Sequence, residues 1–486
     1  MPRLLALLAA CSLFLVPSLV AAPPAPTTVS KIAFGSCADQ NKPCPIWDKM
    51  ADAKADLLVL LGDNIYADLV EDGGRFKLKP STPEKMAECY KELAALPAFK
   101  RLRDGAYTLA TWDDHDYGNN DAGVEWPHKD DAQKEFLDFF GVPADSPRRT
   151  RKGVYHAETF GPDGKRVQVI LLDGRYHRTA IRKADYRLPG SGIQPYLPVT
   201  DADATMLGDE QWKWLEEQLK QPADVRLVCS GIQVVSDDHP FEKWANMPNE
   251  RAKLYQMIRD TKANGVVLLS GDRHLGEISV DLKSVGYPLY DITASGFNQG
   301  SANYRDPEVN KQRVAALPWG NHFGVVTIDW AAKDPVISLQ LRHEDGEIAV
   351  QTRVPLSKLQ AKGDPKAGGS KPTDKPAAKL PDGVISPAEA LKKAKGDEVT
   401  VQFEVAGGNT VSGGKRVLLN SLKDFRSDDN FTVVVNEKAM TGDYAKATFD
   451  TFKGKTIRAK GKLSEFQKKL QLQIDDPKNL ELVGEK

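Results

Sequence analysis

The chain has 486 residues, 41% hydrophobic and 27% charged, which is more than one compact core usually holds, so two or more domains are expected. Its 66 basic and 67 acidic residues leave a formal net charge of -1, which removes any bulk-charge case for a nucleic-acid or membrane-surface partner. Five cysteines in so long a chain make no disulfide scaffold.

The N-terminus reads MPRLLALLAACSLFLVPSLVAAPPAPTT. One Arg, an apolar run, small residues and then prolines form the pattern of a secretory signal peptide over residues 1–22. Leu8–Cys11 also reads as a lipoprotein processing site, a poorer fit because the apolar run continues past Cys11. The run is short and broken by Pro17, and no later segment is long and apolar enough to span a bilayer. The mature chain is therefore expected to be exported, periplasmic or extracellular, with no stable membrane insertion. Cys37, Cys44, Cys89 and Cys229 remain, enough for two disulfides in three pairings.

From about residue 30 to 356 apolar runs alternate with polar or helical stretches. KIAFGSC (31–37), DLLVLLGDN (56–64), YTLATWDDHD (107–116), VQVILLD (167–173), RLVCSGIQVV (226–235) and GVVLLSGDRH (265–274) are short, apolar and followed at once by polar residues. Such runs suit strands buried on both faces beneath helices. GDEQWKWLEEQLKQ (208–221) and ERAKLYQMIRDTKANG (250–265) carry apolar residues at helical spacing. Strands come next at 287–296, 323–330, 336–346 and 347–355, the last two forming a hairpin around Asp345-Gly346. Residues 357–382 are rich in Lys, Pro, Gly, Ala and Asp and read as a linker. Residues 383–486 hold short alternating strands with Gly-rich turns, which suggests a small closed β-barrel or sandwich.

The chemistry lies where the strands end. In an open α/β sheet, ligands bind beyond the carboxyl ends of the strands. LLVLLGDNIYAD (57–68) delivers Asp63 and Tyr66 there. Other strands deliver Cys37, then Asp113, Asp114, His115 and Asp116, then Asp272 and His274. Anionic O and S donors with His on one rim are what a multi-metal site requires. Two neighbouring cations can clamp both oxygens of an in-line phosphoryl displacement.

The order of these motifs is similar to that of the metallophosphoesterase superfamily. GSC in the first motif, WDDHD in the third and GDRH in the fourth resemble the alkaline phosphatase D (PhoD-like) family, as do LLDGRYHR (171–178), SGIQVVSDDHPFEKWANMPNER (230–251) and YDITASGFNQ (290–299). The resemblance covers about residues 30 to 355. It implies an α/β fold, a metallophosphoesterase-type β-sandwich flanked by helices. It implies an exported hydrolase of phosphate monoesters or diesters, acting by in-line attack of a metal-bound hydroxide. The same resemblance implies ferric iron held by Cys37, Asp63 and Tyr66, with Asp63 bridging to a second site. Asp272 and His274 complete the shell. Asp114, with Asp113 beside it, serves one or two divalent ions, calcium foremost, with zinc and manganese as alternatives. His115 is the expected proton donor to the leaving group. Arg175 is expected to fork the phosphate, and Asn120 joins the catalytic set.

Each assignment has a plainer competitor. Cys37 could pair with Cys44, and Arg175 with Asp173 or another carboxylate. His322 is a candidate lining residue, whereas His128, His156, His177, His239 and His343 read as surface or packing residues. Trp112, Trp126 and Trp244 read as an apolar substrate wall or as core. The C-terminal strands resemble an OB-fold, a module that takes an oligonucleotide, glycan or protein ligand. Its basic run, Lys455 to Lys469, is balanced by acidic residues and reads as a solvated face. The substrate class implied is a phosphate-ester small molecule, a phospholipid or a phosphodiester polymer. The competing functions are a dedicated phosphodiesterase of phospholipase D-like activity and a binding protein acting through the OB-like module.

Overall fold

The computed structural model describes residues 23–73, 75–301, 309–317, 319–361, 380–411, 416–422, 430–445, 447–466 and 469–483. The signal-peptide reading (1–22) and most of the linker reading (357–382) lie outside them. The chain divides into two compact units, Met1–Gly368 and Gly369–Lys486.

Two sheets build the first unit. One contains β1 (Lys31–Gly35), β2 (Leu57–Leu61), β5 (Tyr107–Thr111), β15 (His322–Asp329), β16 (Val336–His343) and β17 (Ile348–Pro355), in the order β17-β16-β15-β1-β2-β5. The other contains β6 (His156–Phe160), β7 (Val167–Leu171), β10 (Val225–Ser230), β11 (Val266–Ser270), β12 (Gly276–Asp281), β13 (Leu289–Ala294) and β14 (Arg313–Leu317), in the order β14-β12-β13-β11-β10-β7-β6. Each sheet has a parallel stretch, β1-β2-β5 at one side of the first and β7-β10-β11-β13 in the middle of the second. Two small hairpins stand apart, β3 (Leu69–Asp72) with β4 (Arg75–Leu78), and β8 (Arg182–Lys183) with β9 (Tyr196–Leu197).

Strand β2 shows why its sequence is apolar without alternation. All five residues are buried. Leu57, Val59 and Leu61 join the core that both sheets share, while Leu58 and Leu60 join a second core under the helices Ile46–Asp52, Pro83–Ala95, Pro97–Gly105 and Lys129–Phe139. A period-two strand with helices on one side and a sheet on the other has no wet face. The helices Gly208–Leu219 and Pro248–Asp260 add Leu215, Leu219, Leu254 and Ile258 to the first core. The second starts two residues earlier than its apolar spacing suggests, because Pro248 suits a first helical turn.

Close packing between β1 and β15 depends on Gly324. A Cβ there would lie 2.2 Å from the Phe34 ring, which is fully buried. Gly324→Ala is expected to lower stability by about 1–3 kcal/mol, the usual cost of overpacking a core. Urea unfolding of the variant checks this.

The first unit continues past the expected start of the linker. Leu359 is fully buried, its carbonyl accepts from Gly265 N–H at 2.7 Å, and Ala361 N–H donates to Asn264. Leu359 is the one large apolar anchor at the head of an otherwise polar segment, and it moves the end of the folded unit several residues beyond 356.

The second unit is all strand apart from single turns. Its strands are β18 (Val384–Ile385), β19 (Glu398–Glu404), β20 (Gly407–Val411), β21 (Arg416–Asn420), β22 (Thr432–Asn436), β23 (Thr456–Phe466), β24 (Lys469–Ile474) and β25 (Leu480–Leu482). The path runs β18-β19-β23-β24-β22-β21-β20, with β25 on β23. No hydrogen-bonded pairing closes it into a barrel among the described residues. However, β19 and β20, near opposite ends of the path, are separated in the chain by Val405 and Ala406 alone. The sequence reading missed β18, β20 and β25: β18 and β25 have two and three residues, too few to show alternation, and β20 (Gly-Gly-Asn-Thr-Val) opens on two glycines that read as a turn. The basic run is partly neutralised across the strands: Arg458 meets Glu481 at 3.0 Å and Lys460 meets Glu398 at 3.6 Å.

Candidate metal centre

The parallel strands all end at one rim of the first unit. Cys37 follows β1, Asp63 follows β2, Asp113 follows β5, and Asp272 and His274 follow β11. Four of these residues sit in the left-handed backbone region: Cys37 (φ 66°), Asp63 (φ 49°), Asp272 (φ 69°) and His274 (φ 54°). Non-glycine residues rarely adopt it, and such strain gathers at functional sites. Gly62 makes the turn before Asp63 at φ 107°, and a Cβ on it would lie 2.5 Å from Asp113 Cβ.

Asp116 ties two of the strand ends together. Its carboxylate accepts from Asp113 N–H (2.6 Å), Asp63 N–H (3.2 Å), Asn64 N–H (3.2 Å) and the Asn64 side chain (2.5 Å). Burial lifts its carboxyl to about 7. The sequence reading counted it among the donors at the rim and gave it no role of its own; its carboxylate is taken up by these hydrogen bonds.

Four groups of donor atoms each lie within 4.8 Å of one another: Cys37 with Asp63 and His274; Asp63 with Asp114 and His115; Asp113 with Asp114 and Asp272; Asp114 with Asp121 and Glu242. Asp63 belongs to two groups and Asp114 to three, so the groups form one continuous patch. Cys37 Sγ lies 3.2 Å from Asp63 Oδ2 and 3.1 Å from Ser295 Oγ. Tyr66 OH lies 3.1 Å from His274 Nε2, and the Tyr66 ring stacks on His115 with centroids 4.1 Å apart. His115 Nδ1 lies 2.7 Å from Asp68 Oδ1. Asp68 belongs to the same GDNIYAD stretch as Asp63 and Tyr66, but its partnership with His115 was not anticipated.

The electrostatics of the patch follow from burial. It raises the Cys37 thiol, the Tyr66 phenol and the Asp63, Asp113 and Asp272 carboxyls well above their usual ranges, and neighbouring anions add to the effect. Asp114 moves the other way: burial opposes its ionisation, but His115 and Arg175 hold it low. His115 is raised despite burial, chiefly by Asp114 and Asp63. His274 falls to about 4, through burial and the His115 charge. Asp113 Oδ2 is buried without a hydrogen-bond partner. Thiol, phenol, carboxylates and a neutral imidazole, with that orphaned oxygen, are a donor set a cation fits.

Arg175 departs from its expected role. It is 1% exposed, and its Nε reaches Asp113 at 2.6 Å. Nη1 reaches Glu242 (3.0 Å) and the Ala122 carbonyl (3.4 Å), and Nη2 reaches Glu242 (2.6 Å) and Asp113 (2.5 Å). Each of its three nitrogens donates to a protein acceptor, and the buried side chain does not line the cleft, so it presents no fork to a phosphate there. The plainer reading, pairing with carboxylates, is the one observed, with Glu242 and Asp113 in place of Asp173. Arg178 also grips Glu242.

Asn120 lines a cleft of about 760 Å³ with Asp114, His115, Asp272 and His274. The four described cysteines are free, so no Cys37–Cys44 disulfide forms. His322 is fully buried behind the rim, where its Nε2 accepts from Ser295 N–H at 3.3 Å, and it supports Ser295 without lining the cleft. Trp112, Trp126 and Trp244 are core residues, at 1%, 6% and 0% exposure, and build no substrate wall. Among the described residues no helix is long and apolar enough to cross a membrane.

Comparison with known proteins agrees with this geometry. The model of the PhoD-like phosphatase family matches residues 32–330, more than half of the chain. Alkaline phosphatase D of Bacillus subtilis (strain 168) is 24% identical over 283 residues, covering 52% of this chain and 47% of that protein, so the match spans about half the relative's length. The solved structure described as "Structure of PhoD" superposes with a TM-score of 0.51 at 17% identity, covering 68% of this chain and 73% of that one. Strand ends, donor patch and family model coincide in the same residues, and the chain belongs to the PhoD-like phosphatase family.

Proposed function

We propose that the chain is an exported, metal-dependent phosphoesterase that hydrolyses phosphate monoesters, diesters or both. One observation carries the reading: Cys37, Asp63, Asp114 and His274 come from four separate strand ends, and Asp63 places an oxygen within 4.8 Å of donor atoms of the other three. Cys37, Asp63, Tyr66, Asp272 and His274 would hold a trivalent iron, since thiolate and phenolate are strong anionic donors. Asp113 and Asp114, with Asp63 as the shared ligand, would hold a divalent ion such as calcium. When bound, such ions activate water and neutralise the phosphoryl oxygens.

The chain's own groups do the rest. Asp68 occupies His115 Nδ1 and fixes the ring, which leaves Nε2 to pass a proton to the leaving oxygen. Tyr66 stacks on the same ring and limits its rotation. Arg175 acts as a positioning residue that sets Asp113. Asn120, on the cleft wall, can donate to a phosphoryl oxygen. The OB-like reading of the second unit is supported by a strand path in which one bent segment, β19 to β20, contributes near both ends, although two of the basic residues, Arg458 and Lys460, are paired with acids across the strands.

The test is hydrolysis of nitrophenyl phosphate and bis-nitrophenyl phosphate by protein carrying its native metals, before and after chelation. Turnover abolished by chelator and restored by iron with calcium is expected. A metal-loaded protein inert on both esters would overturn the reading. A rate on the diester far above that on the monoester would assign a dedicated phosphodiesterase. His115→Ala is expected to lower kcat by about 10²–10⁴-fold while elemental analysis finds the metals still bound, because a positioned proton donor contributes on that scale. Asp68→Asn should lower kcat less and displace the pH profile.

A further inference from the structure

The cleft is larger than the chemistry at its floor requires. At about 760 Å³ it falls within the range of roughly 300–1,000 Å³ that encloses a whole small molecule. Its floor carries Asp114, His115, Asp272 and His274, and one wall is formed by the segment from Lys183 to Tyr196, the β8–β9 hairpin. That segment was no part of the sequence-based site. Its residues YRLPGSGIQP read as a loop, with nothing to show where it folds.

The hairpin is firmly seated. Tyr196 N–H donates to the Pro240 carbonyl at 2.9 Å, Ala184 N–H donates to the Pro195 carbonyl at 2.8 Å, and the Tyr196 hydroxyl bonds Asp121, itself within 4.8 Å of Asp114 and Glu242. Two cations face the cleft from it. Lys183 Nζ lies over the Tyr196 ring at 5.1 Å and 3.9 Å from Asp121 Oδ2, too far for a hydrogen bond. Arg187 braces the tip by donating to the Gly192 carbonyl at 2.7 Å and has no carboxylate within 4.0 Å among the described residues. Phe241 and Arg273 also line the cleft, with the Arg273 guanidinium 4.1 Å from the centre of the Phe241 ring.

We propose that the β8–β9 hairpin is a specificity element, in which Lys183 and Arg187 receive a second anionic group carried on the leaving side of the phosphate ester. The proposal rests on the phosphoesterase reading of the same cleft. The metal-binding floor takes the reacting phosphate, and cations held on a preorganised wall add attraction for substrates long enough to reach both. The group recognised is a phosphate or a carboxylate, and the substrate set separates the two.

The experiment compares glycerol 3-phosphate, 3-phosphoglycerate and fructose 1,6-bisphosphate on the metal-loaded full chain, as wild type and as Lys183→Ala/Arg187→Ala. The expected result is a wild-type preference for one or both charged substrates in kcat/KM. The double variant should reduce that ratio about tenfold or more, mainly through KM, and Lys183→Glu/Arg187→Glu further. The preference should weaken with added salt, since the two cations are solvent-accessible. Calorimetric titration reads the same discrimination without turnover. A wild type that binds the bisphosphate and the phosphoglycerate no tighter than glycerol phosphate overturns the proposal. So does a ratio that the double variant leaves unchanged, or rates that fall in parallel on all three. If the wild type discriminates in binding but turns over none of them and neither nitrophenyl ester, the phosphoesterase reading falls and the subsite stands.

Discussion

Asp63→Asn is expected to strip the metals and lower kcat/KM by at least about 10²–10³-fold, the scale set by one lost electrostatic partner at a reacting centre. Asp63 has an oxygen in two of the four donor groups, so its loss uncouples them both. The substitution is chosen for its backbone. Asp63 sits at φ 49°, a conformation asparagine tolerates better than most residues, so the turn after β2 should survive. The sign of the stability change separates a metal ligand from a structural acid. Burial raises the Asp63 carboxyl above its unfolded value. Its ionisation therefore opposes folding increasingly as pH climbs from the ordinary carboxylate range towards the raised value. A neutral isostere removes that penalty, so metal-free Asp63→Asn should be at least as stable at neutral pH as metal-free wild type. Elemental analysis, kinetics and urea unfolding of both proteins check it. A variant that keeps its iron, or that unfolds, contradicts the assignment.

Arg175→Met should cost the first unit about 3–5 kcal/mol, the usual consequence of removing one partner of a buried ion pair. The methionine fills much of the volume but leaves Asp113, which loses its cation, and Glu242, which keeps Arg178 alone. Arg175→Lys should recover part of the loss, since a single ammonium cannot reach all the acceptors that the planar guanidinium now satisfies. Unfolding followed by a probe within the first unit measures the difference. If Arg175 instead served as a free phosphate fork, Arg175→Met would raise KM and leave stability within about 0.5 kcal/mol of wild type.

These two residues mark the limits of sequence reading. Asp63, Cys37, Asp114, Asp272 and His274 were legible because each stands directly after an apolar run, and the parallel strands of the two sheets carry the residues at their carboxyl ends to the same rim. Arg175 stands in the same kind of place, yet its side chain turns onto Glu242, a residue in the polar stretch SDDHPFEKW that carries no strand or helix signal. Pairing across 67 positions leaves no trace in local pattern. Asp68 and Asp116 were in view within quoted motifs, but their work is to hold other site residues in place, and a carboxylate that accepts from backbone looks in sequence like one that binds a cation. The β8–β9 hairpin was hidden for a third reason: its two-residue strands are too short for periodicity to register, and its Gly and Pro residues spell a loop.

The five residues of β2 have a further consequence. With odd positions in one core and even positions in the other, the segment has no spare frame. One inserted residue would exchange the two sets of side chains and slide the following turn by about 3.3 Å along the strand axis. Every β2 position could remain leucine or valine and the hydrophobicity would be unchanged, yet Asp63 would miss Cys37 and His274. Lineages of this fold should therefore accept swaps among aliphatic residues at 57–61 and reject any change in their number, with catalysis failing before solubility does.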